Sequence, residues 1–146
     1  MLELGGVHPM IMSREFPIPG FSNYTATLEG NIISYKGKRA RMLKQKPQKN
    51  ARSRKQVSLV DDEGNKKYLI AHRVIASAKL GRPLEDWEQV RHLGNDRNDN
   101  HMKNLTVGCA VLNMLDDIEA GTRFTSPEYL EEALVRIVNL LKSHEK

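Results

Sequence analysis

The chain has 146 residues, of which 39% are hydrophobic and 5% aromatic, and this composition predicts one modest core with extended appendages. Its single cysteine, Cys109, excludes an internal disulfide framework and a cysteine-rich zinc site, and fits a reducing compartment. No apolar stretch approaches the length of a membrane span, and the first residues lack the pattern of a signal peptide. We therefore expect a cytoplasmic protein.

The net charge of +5 is distributed unevenly. Residues 36–55 carry ten basic and no acidic side chains, whereas the other 126 carry thirteen basic and eighteen acidic ones, a net of −5. Such a segment repels itself unless an anionic partner is present. We expect nucleic acid rather than a membrane, because the segment has no apolar stripe. A solvated, flexible basic loop is the alternative. The predicted phosphate-binding residues are Lys36, Lys38, Arg39, Arg41, Lys44, Lys46, Lys49, Arg52, Arg54 and Lys55.

The first half of the chain is predicted to be an arm followed by hairpins. Residues 1–15 read as a loose arm. The alternating residues 24–28 and the apolar residues 32–35 flank a Glu-Gly-Asn turn and predict one hairpin. Residues 56–60 and 67–70 flank a polar turn with a glycine and predict a second.

Helices and strands mix in the second half. Residues 71–80 predict a short helix with Val74, Ile75 and Ala78 on one face and Gly81 as its stop. Residues 89–92 then predict a strand.

A long polar turn over residues 93–103 leads to a strand at 104–107 and a helix at 109–120. A last helix spans 125–142, capped by Thr125 or Ser126 with a proline in its first turn. Its apolar stripe consists of Leu130, Leu134, Ile137 and Leu141.

The strand–turn–strand–helix over residues 89–120 is the most informative unit. His92 ends its first strand, Asn104 follows twelve residues later, and Asn113 lies in the helix nine residues further on. A hairpin with a helix packed on it can bring these three side chains together.

The run VRHLGNDRNDNHMKNL, followed by Asn113, resembles the core of HNH homing endonucleases, the ββα-metal nucleases of phages and introns. FPIPGFSNYTATLEGNIISY resembles the N-terminal module found before such cores, and AHRVIASA resembles the helix that precedes them. The resemblance covers residues 16–120 and leaves the last helix out.

The resemblance implies roles for each matched residue. His92 matches the histidine that takes a proton from water, Asn104 matches the asparagine that ties the loop, and Asn113 matches a metal ligand. Hydrolysis of a phosphodiester calls for such groups, since it needs a base with a pKa near neutrality and a cation at the phosphate. Oxygen ligands suit Mg²⁺ or Mn²⁺.

One position departs from the family pattern. Arg91 stands where related nucleases commonly carry an acidic or histidine metal ligand, and a guanidinium cannot bind a cation. Asp117, four residues after Asn113 on the same helix, is the expected replacement, with Asp116 as the other candidate and Asp96 as a weaker one. Arg91 is instead expected to hold a phosphate at the catalytic site.

The remaining polar side chains near the predicted core are assigned no catalytic role. His72 is expected to be structural or a phosphate contact, not a base, and His101 to be exposed or to face DNA. The polar loop residues are expected to serve turn formation rather than catalysis; they are Asn95, Asp96, Asn98, Asp99 and Asn100.

The sequence thus predicts an α+β fold with short antiparallel N-terminal hairpins, a ββα-metal core and a C-terminal helix. The predicted domains are an arm (1–15), a β-rich DNA-binding module (16–70), a nuclease core (71–121) and a C-terminal helix (122–146) that is a candidate homodimer contact. The predicted function is metal-dependent cleavage of double-stranded DNA. A DNA-binding protein of the same fold without catalysis is the alternative, favoured by Arg91, and a basic RNA-binding protein is a third reading.

Overall fold

A computed structural model describes residues 14–48, 51–94, 96 and 98–145, and for residues 48 and 51–53 it describes the backbone alone. Within these residues the chain forms nine strands, three helices and a short 3-10 turn at Met102–Asn104. The strands are β1 Glu15–Ile18, β2 Phe21–Thr27, β3 Ile32–Ser34, β4 Arg41–Met42, β5 Lys46–Gln48, β6 Ala51–Val60, β7 Lys66–Ile70, β8 Gln89–His92 and β9 Leu105–Gly108. The helices are α1 Ala71–Leu80, α2 Ala110–Glu119 and α3 Pro127–His144.

The first sheet has the order β1-β2-β3-β4. Its β2–β3 hairpin confirms the first predicted hairpin, with Tyr24 opposite Ser34 and Ala26 opposite Ile32. The edge strand β1 was not predicted, because Pro17 lies within it. The register shifts between Pro17 and Ile18, and an edge strand with an irregularity is the place where a sheet tolerates proline.

The second sheet has the order β5-β6-β7. Its β6–β7 pair confirms the second predicted hairpin, and its register runs from Gln56 opposite Ile70 to Val60 opposite Lys66. The basic segment supplies β4, β5 and the first part of β6, so much of it is strand and not the flexible loop of the alternative interpretation. Residues 49–50 lie outside the described part of the chain.

Helix α1 is the centre of the main core. Its predicted apolar face is confirmed, since Val74, Ile75 and Ala78 are all buried, and Gly81 ends it in the left-handed conformation with φ of 76°. The helix contacts both N-terminal sheets and the β8–β9 pair. The buried side chains of this core are Ile18, Tyr24, Ala26, Ile32, Val57, Leu59, Ala71, Val74, Ile75, Ala76, Ala78, Met102 and Leu105.

Strands β8 and β9 form an antiparallel pair in which His92 lies opposite Leu105. The predicted strand at residues 89–92 is confirmed, whereas the second strand begins at Leu105, because Asn104 belongs to the 3-10 turn. Buried Met102 and Leu105 attach this pair to the core. The Nζ of Lys79 on α1 donates to the carbonyl oxygens of both, at 2.8 Å each, so α1 also holds the turn through its polar side.

The chain divides into two compact units, residues 1–109 and 110–146. The nuclease core predicted to extend to residue 121 stays a prediction. In the second unit, α2 and α3 confirm the predicted helices, and Ser126 caps α3 by accepting from the backbone N–H of Tyr129. Neither helix has a buried residue among those described. The fold is α+β with antiparallel hairpins and a C-terminal helix, as predicted.

No helix in the described part of the chain is both long enough and apolar enough to cross a membrane.

Candidate functional site

His92 lies at the end of β8, where the chain leaves the strand and enters the polar loop. The side chain is half-buried, and its Nε2 is 2.8 Å from Oδ1 of Asn100. The ring of His72, on α1, meets the ring of His92 edge to face, with centroids 5.2 Å apart. The His92 imidazole is therefore held on two sides by groups from different elements.

Asn104 closes the loop that follows His92. Its Oδ1 accepts from the backbone N–H of Gly94 at 2.7 Å, and its Nδ2 donates to the carbonyl oxygen of Asp99 at 2.8 Å. The backbone carbonyl of Asn104 also accepts from Leu93 at 2.8 Å. This is the geometry that a loop-tying asparagine requires. In the described part of the chain its hydrogen bonds go to the loop backbone and not to His92.

Asn100 is the residue that sequence reasoning missed. It is 7% exposed, and it accepts or donates through both ends of its amide, toward His92 and toward Gln45. A run of asparagines and aspartates suggests turn chemistry for all its members, and nothing in the pattern singles out the one that is buried.

His72 is neutral at physiological pH in this environment. Burial lowers the pKa of its imidazole to about 4, and the electrostatic influence of His92 and of the guanidinium groups of Arg54 and Arg73 acts in the same direction. A ring with so low a pKa is a weak proton acceptor. The expectation that His72 is not the base agrees with this environment and stays a prediction.

The proposed metal ligands and Arg91 lie on different parts of the chain. Arg91 is half-buried in β8 of the first unit. Asn113 and Asp117 are both half-buried on α2 of the second unit, whereas Asp116 is exposed. Asp117 Oδ2 lies 3.8 Å from a guanidinium nitrogen of Arg123. The described residues contain no cluster of three or more histidine, cysteine, aspartate or glutamate side chains that could hold a metal by themselves.

Part of the predicted basic set lines a cleft between the two N-terminal sheets. Lys36, Arg41 and Lys44 from the basic segment line it together with Lys66 of β7, and none of its lining residues is acidic. Among the described residues no salt bridge involves any of these four cations. Lys66 was missed because it lies outside the basic segment, but the register of β7 on β6 carries it to the cleft. The cleft can accept a phosphate backbone.

The other predicted phosphate-binding residues are distributed differently. Lys55 lines a second cleft that also contains Glu29, Asp99 and Asn100, so its surroundings are mixed in charge. Lys38, Arg39, Lys46 and Arg54 are exposed. Lys49 lies outside the described residues, and the side chain of Arg52 is not described.

The fold is similar to that of an HNH homing endonuclease, in the solved structure "DNA binding and cleavage by the HNH homing endonuclease I-HmuI". The TM-score is 0.59 and the sequence identity 20%, with coverage of 86% of this chain and 68% of that chain. No protein-family model matches the sequence, and no curated protein matches it. At this identity the likeness shows an HNH-like fold. The phage or intron type and the identity of the N-terminal module stay predictions.

Proposed function

We propose that the protein is a metal-dependent endonuclease of the HNH type that hydrolyses phosphodiester bonds in double-stranded DNA, and that it is a phage homing endonuclease. The observation that carries the proposal is the placement of His92. It ends the first strand of a β-pair, beside a loop tied by Asn104, in a fold similar to that of I-HmuI. I-HmuI itself binds and cleaves DNA.

His92 is the proposed general base. Imidazole is the side chain whose ordinary pKa, about 6.5, allows it to take a proton from water near neutral pH. The contacts with Asn100 and His72 restrict the rotation of the ring, and a base must keep its position relative to the attacking water. Asn104 supports this arrangement by tying the loop.

A divalent metal ion, Mg²⁺ or Mn²⁺, is the proposed cofactor, with Asn113 and Asp117 as its ligands from the protein. Their oxygen atoms suit a hard cation, and Mg²⁺ is commonly bound through one or two protein oxygens together with water and substrate phosphates. When bound, the ion supplies charge neutralisation at the scissile phosphate and the leaving oxygen. Asp117 would exchange its contact with Arg123 for the cation.

Arg91 and the basic cleft are proposed to hold the DNA backbone. A guanidinium can contact two phosphate oxygens at once, and Arg91 directly precedes His92 on β8. Lys36, Arg41 and Lys44 would neutralise phosphates further along the duplex. We also propose that α3 mediates a homodimer, because its apolar stripe is exposed to solvent in the single chain.

Metal-dependent nicking of supercoiled plasmid DNA tests this proposal. His92→Ala should lower the rate by about 10²- to 10⁴-fold, the usual contribution of a general base, with DNA binding unchanged in a gel-shift assay. His144→Ala, an exposed histidine in the last turn of α3, is the control and should cleave normally. Unchanged cleavage by His92→Ala would remove the central claim.

The second candidate is a DNA-binding protein of the same fold that has lost catalysis. Arg91 in place of an acidic ligand favours it. In that case the wild-type protein binds duplex DNA with salt-sensitive affinity but produces no nicks with Mg²⁺ or Mn²⁺. Tighter binding to RNA than to duplex DNA in a competition assay would instead support the RNA-binding alternative.

A further inference from the structure

A chain of side-chain amides connects the β2–β3 turn with the ring of His92. Gln45 Nε2 donates to the carbonyl oxygen of Gly30 at 2.9 Å, and Asn100 Nδ2 donates to Gln45 Oε1 at 3.4 Å. Asn100 Oδ1 then lies 2.8 Å from His92 Nε2. We call this series of hydrogen bonds the amide chain. It starts at the backbone of Gly30 in the β2–β3 turn and ends at the proposed base, His92.

The hydrogen bond between Gln45 and Gly30 determines which group donates and which accepts in the other two hydrogen bonds. A backbone carbonyl can only accept, so Gln45 must turn its NH₂ group toward Gly30 and its oxygen toward Asn100. Asn100 must then offer its NH₂ group to Gln45, which leaves its oxygen facing His92. The Nε2 of a neutral His92 must therefore carry the hydrogen.

We propose that this amide chain fixes the tautomer of His92 with the hydrogen on Nε2 and the lone pair on Nδ1, which makes Asn100 and Gln45 positioning residues. The catalytic consequence rests on the proposed function, because only a base needs its lone pair at a particular atom. Among the described residues, the only hydrogen bond of the His92 ring is the one at Nε2, so Nδ1 is the atom left to take a proton from water.

The opposite tautomer of His92 is unfavourable whichever way the amides of Asn100 and Gln45 are turned. With the hydrogen on Nδ1, two lone pairs would face each other between Nε2 and Oδ1 at 2.8 Å. Rotating the Asn100 amide would relieve that contact but would set its oxygen against the oxygen of Gln45. Rotating Gln45 as well would set its oxygen against the carbonyl of Gly30. Each rotation moves the unfavourable contact one step further from His92 without removing it.

The amide chain is anchored where the β2–β3 turn meets the loop after His92. Gly30 has φ of 92°, and a Cβ built on it would lie 2.5 Å from the carbonyl carbon of Asn100, so the turn and the loop are in direct contact. The backbone N–H of Met102 donates to the carbonyl oxygen of Leu28 at 2.9 Å and joins the same two segments. Gly30 and Asn100 are both buried, and Gln45 between them is half-buried.

Reversing the polarity of position 45 tests the proposal. Gln45→Lys can only donate, so it should turn the oxygen of Asn100 away from His92 and shift the neutral ring toward the Nδ1–H tautomer. Gln45→Glu is the matched control, because its carboxylate still accepts from Asn100 and should leave the Nε2–H tautomer. The double variant Gln45→Lys/Asn100→Asp should restore Nε2–H, because a carboxylate at position 100 can only accept.

The measurement is the ¹⁵N chemical shift of both ring nitrogens of His92 in the full chain, about two pH units above the ordinary histidine pKa of 6.5. The signals are assigned by comparison with His92→Gln. Nicking kinetics provide the second readout: kcat should fall about ten- to a hundredfold in Gln45→Lys with KM unchanged, and recover in the double variant.

The outcomes separate this inference from the proposed function. An Nδ1–H tautomer in the wild type overturns the inference, and so does an Nε2–H tautomer in Gln45→Lys. If Gln45→Lys fails to fold, Asn100→Leu takes its place, and the inference requires the Nδ1–H fraction of His92 to be larger in this variant than in the wild type. Correct tautomers in a protein that never nicks DNA would leave the amide chain standing and refute the nuclease.

Discussion

The rings of His72 and His92 are in contact but have different surroundings. His72 is half-buried beneath His92, and burial together with nearby cations keeps it neutral, whereas His92 is fixed through its Nε2. A neutral neighbour matters for a base, because a second positive charge within 5.2 Å would oppose protonation of His92 when it takes a proton.

The lowered pKa of His72, about 4, makes stability depend on pH. The unfolded chain takes up a proton at this residue near pH 6.5, but the folded chain does so only near pH 4. The contribution is therefore fully present above about pH 6.5 and is lost as the pH falls toward 4. After allowance for the exposed part of the ring, we expect about 1 to 2 kcal/mol of lost stability.

His72→Phe removes this proton uptake and keeps an aromatic ring against His92. Urea unfolding of both proteins at pH 7 and pH 4 checks it, since the wild type should lose more stability than the variant. Parallel losses in the two proteins would contradict the neutral assignment of His72.

At the scale of elements, the contact between the β2–β3 turn and the loop after His92 is the one on which the site depends. Gly30→Ala should disturb it in two ways, through the φ of 92° and through the 2.5 Å approach of a Cβ to the carbonyl carbon of Asn100. Gly64→Ala is the matched control, with φ of 91° and nothing within 4 Å of the added Cβ.

Thermal or denaturant unfolding should show a loss of about 1 to 2 kcal/mol for Gly64→Ala, the cost of the backbone conformation alone. Gly30→Ala should lose more, and its nicking rate should fall while that of Gly64→Ala does not. Equal effects of the two substitutions would mean that the turn does not support the loop.

The elements that sequence predicted are those whose signal is local. The 3.6-residue periodicity and glycine stop of α1, the polar turn between β6 and β7, and the cap of α3 each depend on residues close together in the chain. Strands β1, β4 and β5 could not be predicted in this way. Pro17 interrupts the pattern of β1, and the lysines and arginines of β4 and β5 conceal their pairing.

The same distinction applies to the site. His92 and Asn104 are placed by a hairpin of consecutive elements, so their spacing alone predicted that they share a loop. Other contacts join residues far apart in sequence: Lys79 and Met102 are 23 residues apart, and Gln45 and Asn100 are 55 residues apart. Such contacts depend on how the sheets pack around α1, which no local pattern records.

At the scale of the whole molecule, the fold concentrates cations that are spread along the sequence. Lys66 and Lys67 are adjacent on β7 but differ in their surroundings: Lys66 lines the basic cleft, whereas Lys67 pairs with Asp61 at 3.6 Å.

If the cleft binds a phosphate backbone, Lys66→Ala should weaken DNA binding and lower the slope of log K against log salt by about 0.9. Lys67→Ala should leave that slope unchanged. A titration of fluorescent duplex DNA at several salt concentrations decides the matter, and equal slopes for all three proteins would exclude the cleft.

The exposed apolar stripe of α3 leads to a prediction that the protein forms a homodimer. Leu134 and Leu141 are 61% and 62% exposed on α3, on the stripe that also contains Leu130 and Ile137. Apolar residues at helical spacing that are exposed in the described part of the chain are expected to pair with the same stripe of a second copy, because a twofold contact buries both stripes at once. Light scattering after size-exclusion chromatography should give a dimer for the wild type and a monomer for Leu134→Lys/Leu141→Lys. Glu131→Lys, on the same helix and with a comparable charge change, is the control and should remain dimeric. If the protein is the proposed nuclease and its dimer places two sites on one duplex, the monomeric variant should still nick a supercoiled plasmid but should form the linear product more slowly. A wild type that is monomeric at micromolar concentration would exclude α3 as the dimer contact.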